Sequence, residues 1–355
     1  MGQKKTNGVL LLYELIKLQQ KIVPEIMSEM IKRYNILRAI YDNEPVGRRL
    51  IANVLQLGER VIRTEVDFLK RANLIDVNVS GMTVTDEGKE IIHKLKEIVH
   101  ELQGLSEVED QLRKALGIRN AIIVCGDMEE DGSLINEIGR TSANYLKSVV
   151  KSGNVVAVTG GSTVKACIDN VPKINNLKDI LVLPARGGMG KDVARQANTL
   201  AATLAGQLNG KHKLLHVPDN FSDEKILKEI RNERSIKEVL EKLKSCDVLI
   251  FGIGRADEMG RRRGLCERSL NSILEKGAVG EAFGHYFNKS GDVIFSTPTI
   301  GFNTEDIWKI NTLIAVAGKK SKAEAIISTL INKKNSVLIT DEGTAKEILN
   351  ILNEE

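Results

Sequence analysis

The chain lacks several features whose absence excludes whole classes of protein. No apolar run approaches the roughly 18 residues that a membrane span needs. The four cysteines, Cys125, Cys167, Cys246 and Cys266, are widely scattered. No Cys-x-x-Cys pair occurs, so neither a zinc site nor a disulfide framework is indicated, and reduced cytosolic thiols are expected. No signal peptide is expected either, since Lys4 and Lys5 lead into a helix with polar residues throughout. There is no Ser-His-Asp order, no metal-ligand cluster and no Gly-x-Gly-x-x-Gly fingerprint. The five histidines are not grouped, and His285 alone falls near a predicted ligand-binding rim. The net charge of +4 permits nucleic acid as a partner without demanding it.

What is present divides in two. At 355 residues, two domains are the natural expectation. Residues before about Gln103 lack a strand–helix rhythm. Leu10–Lys32 reads as a helix with the stripe Leu11, Leu12, Leu15, Ile16 and Leu18, interrupted by Pro24, and Ile31–Tyr41 as a second helical stretch. A helix Arg49–Leu55, the turn Gln56-Leu57-Gly58 and a helix Glu59–Ala72 then form a helix-turn-helix pattern. Val61, Ile62, Val66 and Leu69 are expected to face the core. Arg60, Arg63, Thr64 and Asp67 fall on the outer face, where side chains reach base edges in a major groove. Arg48, Arg49, Lys70 and Arg71 are placed for phosphates. From Arg48 to Arg71 six basic residues stand against three acidic ones, so the basic character is local. Leu74–Val84 reads as a two-stranded wing and Asp86–Leu105 as a charged amphipathic helix that links domains or pairs with its twin. A helical dimerisation or capping module with merely solvated arginines is the competing reading.

From Leu116 onwards strands and helices alternate. Strands are expected at Ala121–Cys125, Val155–Val158, Ile180–Pro184, Lys213–Val217, Val248–Gly252, Asp292–Phe295, Leu313–Ala317 and Ser336–Thr340. This rhythm predicts a doubly wound, mostly parallel sheet whose ligands sit at the carboxyl ends of its strands. The stretch Val155–Asp169 organises it: a buried strand, a tight turn at Gly160-Gly161, then Ser162 and Thr163 as capping residues of a helix whose N-terminus suits a phosphate. An ordinary strand-to-helix loop has the same look. Other glycine-rich strand ends follow at Pro184–Gly188, Gly252–Arg255, Ala317–Lys322 and Thr340–Gly343. Arg186, Arg255, Arg261, Arg262, Arg263 and Lys322 lie at or near these ends and favour an anion, a phosphorylated metabolite above all. Glu281 either accepts from sugar hydroxyls or pairs with an arginine. An isomerase-like enzyme using Glu281 or Asp341 as base stays open on the residues alone.

Taken together, Glu44–Arg49, Gly81–Thr85, Val158–Thr163, Val182–Gly188, Gln196–Thr199, Gly252–Gly254, Glu281–Gly284 and Thr340–Gly343 resemble the SorC/DeoR-type family of sugar-responsive transcription factors over nearly the whole chain. The resemblance implies an α/β protein: an N-terminal winged helix-turn-helix domain over residues 1–105, with its linker helix, and a doubly wound, Rossmann-like effector domain over 106–355. The second domain is of the sugar-phosphate isomerase/deaminase type, but used for sensing, so no enzyme activity and no cofactor are expected. Carried over by motif, Gly161, Ser162 and Thr163 hold one phosphate, and Arg186, Gln196, Arg262, Glu281 and Lys322 contact the rest of the ligand. The DNA contacts expected are Arg48, Arg49, Arg60, Arg63, Thr64 and Lys70. The implied partners are operator DNA, a phosphosugar (fructose 1,6-bisphosphate in the glycolytic branch of the family, acting on genes around glyceraldehyde-3-phosphate dehydrogenase) and further copies of the chain, as a tetramer built from dimers in the cytoplasm. Two positions depart from the family's pattern. Ser162 replaces a threonine and keeps the hydroxyl. Lys319 stands where a second glycine is usual, adding charge at the pocket or crowding it.

Overall fold

The computed structural model describes residues 22–188, 192–218, 224–302 and 304–354. The expected stripe Leu11, Leu12, Leu15, Ile16 and Leu18 lies outside the described residues. Contacts divide the chain into two compact units, one running to Glu107 and including Glu130–Ser133, the other comprising Val108–Glu129 and Leu134–Glu355.

The first unit contains α1 (Pro24–Asn43), α2 (Arg48–Val54) and α3 (Glu59–Arg71). As expected, the helical run is interrupted at Pro24: Ile22 is helical, Val23 breaks the helix, and Pro24 starts α1, where a first-turn proline lacks only an N–H that has no helical partner. The separate helix expected at Ile31–Tyr41 is the body of α1. Strands β1 (Ile75–Asn78) and β2 (Gly81–Val84) pair antiparallel as the wing. Ile36, Ile40, Ile51, Ile62, Leu69 and Met82 form the core of this unit. One inward position of α3 is charged: Glu65 is only 4% exposed and meets Lys32 at 3.0 Å and Arg33 at 2.9 Å. Residues 62, 65, 66 and 69 follow the spacing of a single helix face, and Val61, expected inside, sits at its exposed edge. Helix α4 (Asp86–Leu102) begins under Thr85, whose hydroxyl accepts the Gly88 N–H at 3.1 Å. It stops short of the expected Leu105, because Gly104 turns the chain at φ 68, and α5 (Leu105–Leu116) follows as a separate helix.

The second unit runs β3 (Asn120–Val124), α6 (Ile135–Val149), β4 (Val155–Val158), α7 (Ser162–Asp169), β5 (Leu181–Pro184), α8 (Ala197–Gln207) and β6 (Lys211–His212). Then come α9 (Glu224–Asn232), α10 (Arg234–Leu243), β7 (Val248–Phe251), β8 (Gly254–Arg255), α11 (Ala256–Arg262), α12 (Glu267–Glu275), β9 (Ala278–Ala282), β10 (His285–Asn288) and β11 (Val293–Ser296). The chain continues through α13 (Thr304–Ile307), β12 (Thr312–Val316), α14 (Ala323–Leu330), β13 (Ser336–Asp341) and α15 (Glu342–Glu354).

Seven strands form one parallel sheet in the order β3-β13-β12-β7-β4-β5-β6. The chain winds outward to one side from β4 and to the other from β7, so the order reverses between these two neighbours. A crevice opens at such a reversal, beyond the carboxyl ends of the strands. Strands β7 and β12 are buried along their whole length, as central strands covered on both faces must be.

Two expected strands differ. Lys213–Val217 is not a strand; the edge strand is Lys211–His212. The Asn198 amide clamps Leu215 instead, donating to its carbonyl at 2.8 Å and accepting its N–H at 3.0 Å in place of a ladder. The stretch expected at Asp292–Phe295 is β11, and it belongs to a second, antiparallel sheet, β11-β10-β9-β8. That sheet turns on Phe283-Gly284, both at positive φ (59 and 89), as a two-residue hairpin requires. Phe283 is held there by burial against Phe251, with ring centroids 4.6 Å apart. Among the described residues no helix is long and apolar enough to cross a membrane.

Candidate functional site

Each unit carries a candidate site. In the first, the outer face of α3 is solvent-facing: Arg60, Arg63, Thr64 and Lys70 are all exposed, as are Arg48 and Arg49 on α2. A cleft of about 570 Å³ is lined by Gly47, Arg48, Arg49, Glu59, Arg60 and Arg63. Four cations there face one carboxylate. Arg49 lies 3.7 Å from Glu59 with both side chains largely in solvent, a pairing worth little and easily exchanged for a phosphate. Thr64 stands beside the cleft, its hydroxyl donating to the Arg60 carbonyl at 3.1 Å. Lys70 is on the same helix but does not line the cleft.

In the second unit the site lies at the β4–β7 reversal. Gly161, at φ 133, is the N-cap of α7, with no side-chain cap. The capping role expected of Ser162 and Thr163 is therefore not theirs. Ser162 is exposed in the first turn, whereas the buried Thr163 hydroxyl donates to the Val316 carbonyl at 2.7 Å and ties α7 to the end of β12. The uncapped N-terminus leaves donors and a partial positive charge facing the crevice. Gly161 N–H donates to the Arg195 carbonyl at 3.0 Å, which brings Gln196, at the head of α8, beside this loop.

Arg186 follows β5 and is buried, as is Glu281 on β9. Glu281 Oε1 accepts from Arg263 at 2.6 Å and from the Gly284 N–H at 2.5 Å, with Arg186 at 3.7 Å. Of the two readings left open for Glu281, pairing with arginine is the one present here. Its partner is Arg263, the third residue of the Arg261–Arg263 run; Arg262 is exposed at the end of α11 and is not brought to Glu281. Nothing in the spacing of that run separates the three, since the choice depends on where α11 ends. His285 packs beside this group and shares a 2.7 Å hydrogen bond with Ser296. Burial, reinforced by the Arg186 and Arg263 guanidinium groups, pushes it down to about 4, so it is neutral at physiological pH.

Lys322, just after β12, extends its ammonium to the Ile253 carbonyl at 3.4 Å, beyond the end of β7. Burial holds it below the ordinary lysine value, with Lys319 and Arg262 adding to the effect and Glu258 and Glu129 opposing it. Residue 254, next along, pairs with Glu281 across β8 and β9, so Lys322 and the Glu281 cluster border the same short segment. The loops beyond the strands are fixed by carboxylates. Ser321 donates to Glu129 through its N–H at 3.2 Å and its hydroxyl at 2.7 Å. Asp341, fully buried, accepts from the Lys319, Met128 and Thr344 N–H groups and the Thr344 hydroxyl. Asp341 is thus a loop anchor, a role its place at the end of β13 hints at but sequence reading did not assign.

Comparison with known proteins bears on both units. Residues 29–99 match the family described as the CggR N-terminal DNA binding domain, and residues 100–350 match a sugar-binding domain family. The chain is 41% identical over 336 residues to the central glycolytic genes regulator of Bacillus subtilis, spanning 95% of this chain and 98% of that one. It is 42% identical over 340 residues to its namesake from Priestia megaterium, spanning 96% and 99%. A SorC family transcriptional regulator structure from Enterococcus faecalis superposes with a TM-score of 0.63 at 33% identity, covering 68% of this chain and 99% of that one. The full-length sorbitol operon regulator SorC of Klebsiella pneumoniae shares the fold, with a TM-score of 0.64 at 16% identity over 90% of this chain and 99% of that one.

Proposed function

This chain belongs to the SorC-type family of sugar-responsive transcriptional regulators, and from that premise we propose that it represses a glycolytic operon around glyceraldehyde-3-phosphate dehydrogenase and is released by fructose 1,6-bisphosphate. It is a regulator, with a DNA-binding and a sugar-binding domain, and not an enzyme.

The observation that carries this reading is the presence in one chain of two anion-receptive sites of different character. The cleft of Arg48, Arg49, Arg60 and Arg63 is open and exposed, suited to a polyanion. The crevice at the β4–β7 reversal, with the uncapped α7 N-terminus, is bordered by the buried Thr163, Arg186 and Glu281, suited to a phosphosugar. In this reading α3 enters the major groove, with Arg60, Arg63 and Thr64 toward bases and Arg48, Arg49 and Lys70 toward phosphates. Gly161, Ser162 and Thr163 receive one phosphate through backbone donors and the Ser162 hydroxyl, with Arg186, Gln196, Arg262, Glu281 and Lys322 around the rest of the sugar. Release requires that the sugar bind the DNA-competent and DNA-incompetent arrangements unequally, by about 1–3 kcal/mol. The protein acts in the cytoplasm as a dimer or tetramer.

The test is fluorescence anisotropy of the DNA upstream of the chain's own operon, titrated with protein at fixed salt, with and without millimolar fructose 1,6-bisphosphate. Tight binding loosened by the sugar is expected. Tight binding indifferent to the sugar overturns the effector, and no specific binding overturns the operator.

A further inference from the structure

Helix α3 turns Ile62, Glu65, Val66 and Leu69 to the core, and most of its remaining positions carry exposed charges. Two apolar side chains interrupt them. Phe68, 36% exposed, is covered by the Arg33 guanidinium, whose central carbon lies 3.6 Å from the ring centroid. Val61, 39% exposed, stands in the first turn of the helix beside Arg60. A single exposed valine is ordinary on a protein surface. This one has a neighbour that extends it.

Residues 61 and 64 are adjacent on the helix surface, with about 5–6 Å between their β carbons. The Thr64 hydroxyl donates to the Arg60 carbonyl at 3.1 Å, back along the helix. A hydroxyl committed in this way has no proton to give a base edge, and the methyl on the same carbon remains to meet a partner. Val61 and Thr64 thus form a small apolar ledge in the first two turns of a charged helix, next to the cleft lined by Arg60 and Arg63. Helical side chains lean toward the N-terminus, which is the end of a recognition helix that meets base edges.

We infer that this ledge is a specificity element: Val61 and Thr64 together receive the C5-methyl group of one operator thymine. The inference rests on the reading, given above, that α3 enters the major groove. Thymine alone among the four bases presents a methyl group there, and a valine, which neither donates nor accepts a hydrogen bond, selects a base edge only through such a group. The spacing fits. Two side chains about 5–6 Å apart at their β carbons meet a single methyl between them, each within about 4 Å. The division of labour along the helix follows. Arg60 and Arg63 offer donors to bases that carry acceptors, and the ledge fixes the identity of a base by its shape. It excludes cytosine, which has no methyl and presents an amino donor that neither side chain satisfies without giving up the Thr64 contact.

The test is fluorescence anisotropy of the DNA upstream of the chain's own operon, at fixed salt, with each thymine in turn replaced by deoxyuridine. That replacement removes the methyl and keeps every hydrogen-bonding group of the base. Wild type, Val61→Ala and Thr64→Ser are titrated as full chains; Thr64→Ser keeps the hydroxyl and deletes only the methyl. At one thymine position the replacement is expected to weaken wild-type binding roughly fourfold, the effect of one buried methyl. At that position each variant is expected to bind the two DNAs within about twofold of each other, because the contact is already lost. Every comparison sets two DNAs against one protein, so a variant that folds less completely lowers both affinities alike. A scan in which no position weakens wild type overturns the assignment. So does a position that weakens all three proteins equally, which would give the methyl to another side chain. Wild-type protein that binds the upstream DNA no more tightly than a scrambled sequence would instead overturn the reading of α3 on which the assignment rests.

Discussion

The buried carboxylate of Asp341 accepts the backbone N–H of Lys319 at 3.2 Å, and so a residue at the end of one central strand sets the backbone of the loop after its neighbour. Its other oxygen accepts the Met128 N–H at 3.2 Å, on the loop after β3. Three consecutive strand ends, β3, β13 and β12, are thereby fastened to one side chain. Four donated hydrogen bonds compensate for burying the charge.

Asp341→Asn would set an amide N–H₂ against N–H donors on one side of this arrangement. A loss of about 1–3 kcal/mol is expected, the cost of an unsatisfied buried group. Urea denaturation of the full chain measures it. A variant as stable as wild type would show that only one carboxylate oxygen matters to the loops.

The two hydroxyls at the start of α7 should separate cleanly. Thr163→Val deletes the bond to the Val316 carbonyl and should cost about 1 kcal/mol of stability. Ser162→Ala touches an exposed side chain and should leave stability within about 0.5 kcal/mol while weakening sugar-phosphate affinity several-fold. Denaturation and calorimetry on the pair check this. Equal stability losses in both would mean that the Ser162 hydroxyl serves the fold.

Glu281→Gln leaves Arg186 and Arg263 buried without their carboxylate, and should destabilise by about 3–5 kcal/mol. Arg262→Ala, at an exposed position one residue away from Arg263, should stay within about 0.5 kcal/mol of wild type. Urea midpoints of the two variants decide the point; a large loss in Arg262→Ala would place that guanidinium in the fold's own ion pairing.

His285 gives the sugar-binding unit a dependence on acid. Its folded-state value of about 4 lies below the 6.5 of an unperturbed histidine, so the unfolded chain binds a proton first as pH falls. The stability it contributes is complete above about pH 6.5 and is lost progressively toward pH 4, at up to about 1.4 kcal/mol per pH unit and roughly 3 kcal/mol in all. Denaturation midpoints measured between pH 7 and 4.5 should fall more steeply for wild type than for His285→Gln. Parallel curves would mean that His285 is solvated in the folded protein.

The alternation of strands and helices was legible because central strands are apolar along their whole length: Val248–Phe251 and Leu313–Val316 need no periodicity to be recognised. The glycine turn before α7 was legible for a similar reason, since few side chains tolerate φ 133 at Gly161. The antiparallel sheet was not. Its strand β9 (Ala278–Ala282) carries a glycine because α14 packs closely on it and a glutamate because Arg263 and Arg186 meet it there, and its turn uses a phenylalanine at positive φ. Both depend on tertiary contacts that no local pattern encodes. The difference between Arg262 and Arg263 was hidden likewise: one residue of helix rotation decides which guanidinium is buried, and the rotation is set by what α11 packs on. Glu65 shows the converse case, a charge on the apolar face of α3 that only Lys32 and Arg33, more than thirty residues earlier, make tolerable.

The outer face of α3 allows two contributions to DNA binding to be separated. Arg63 lines the cleft near the helix start, whereas Lys70 lies in the last turn, away from it. Arg63→Ala should cost about 1–3 kcal/mol on the operator and little on scrambled DNA, because a base contact carries sequence information. Lys70→Ala should weaken binding to both DNAs alike and reduce the magnitude of the salt slope by about 1, because a phosphate contact carries none. Anisotropy titrations of both variants on both DNAs, across a salt series, measure these quantities, and sugar-phosphate affinity should be unchanged in each. If Arg63→Ala lost affinity for operator and scrambled DNA equally, that side chain would belong with the phosphate contacts, and sequence discrimination would have to come from Arg60 and Thr64.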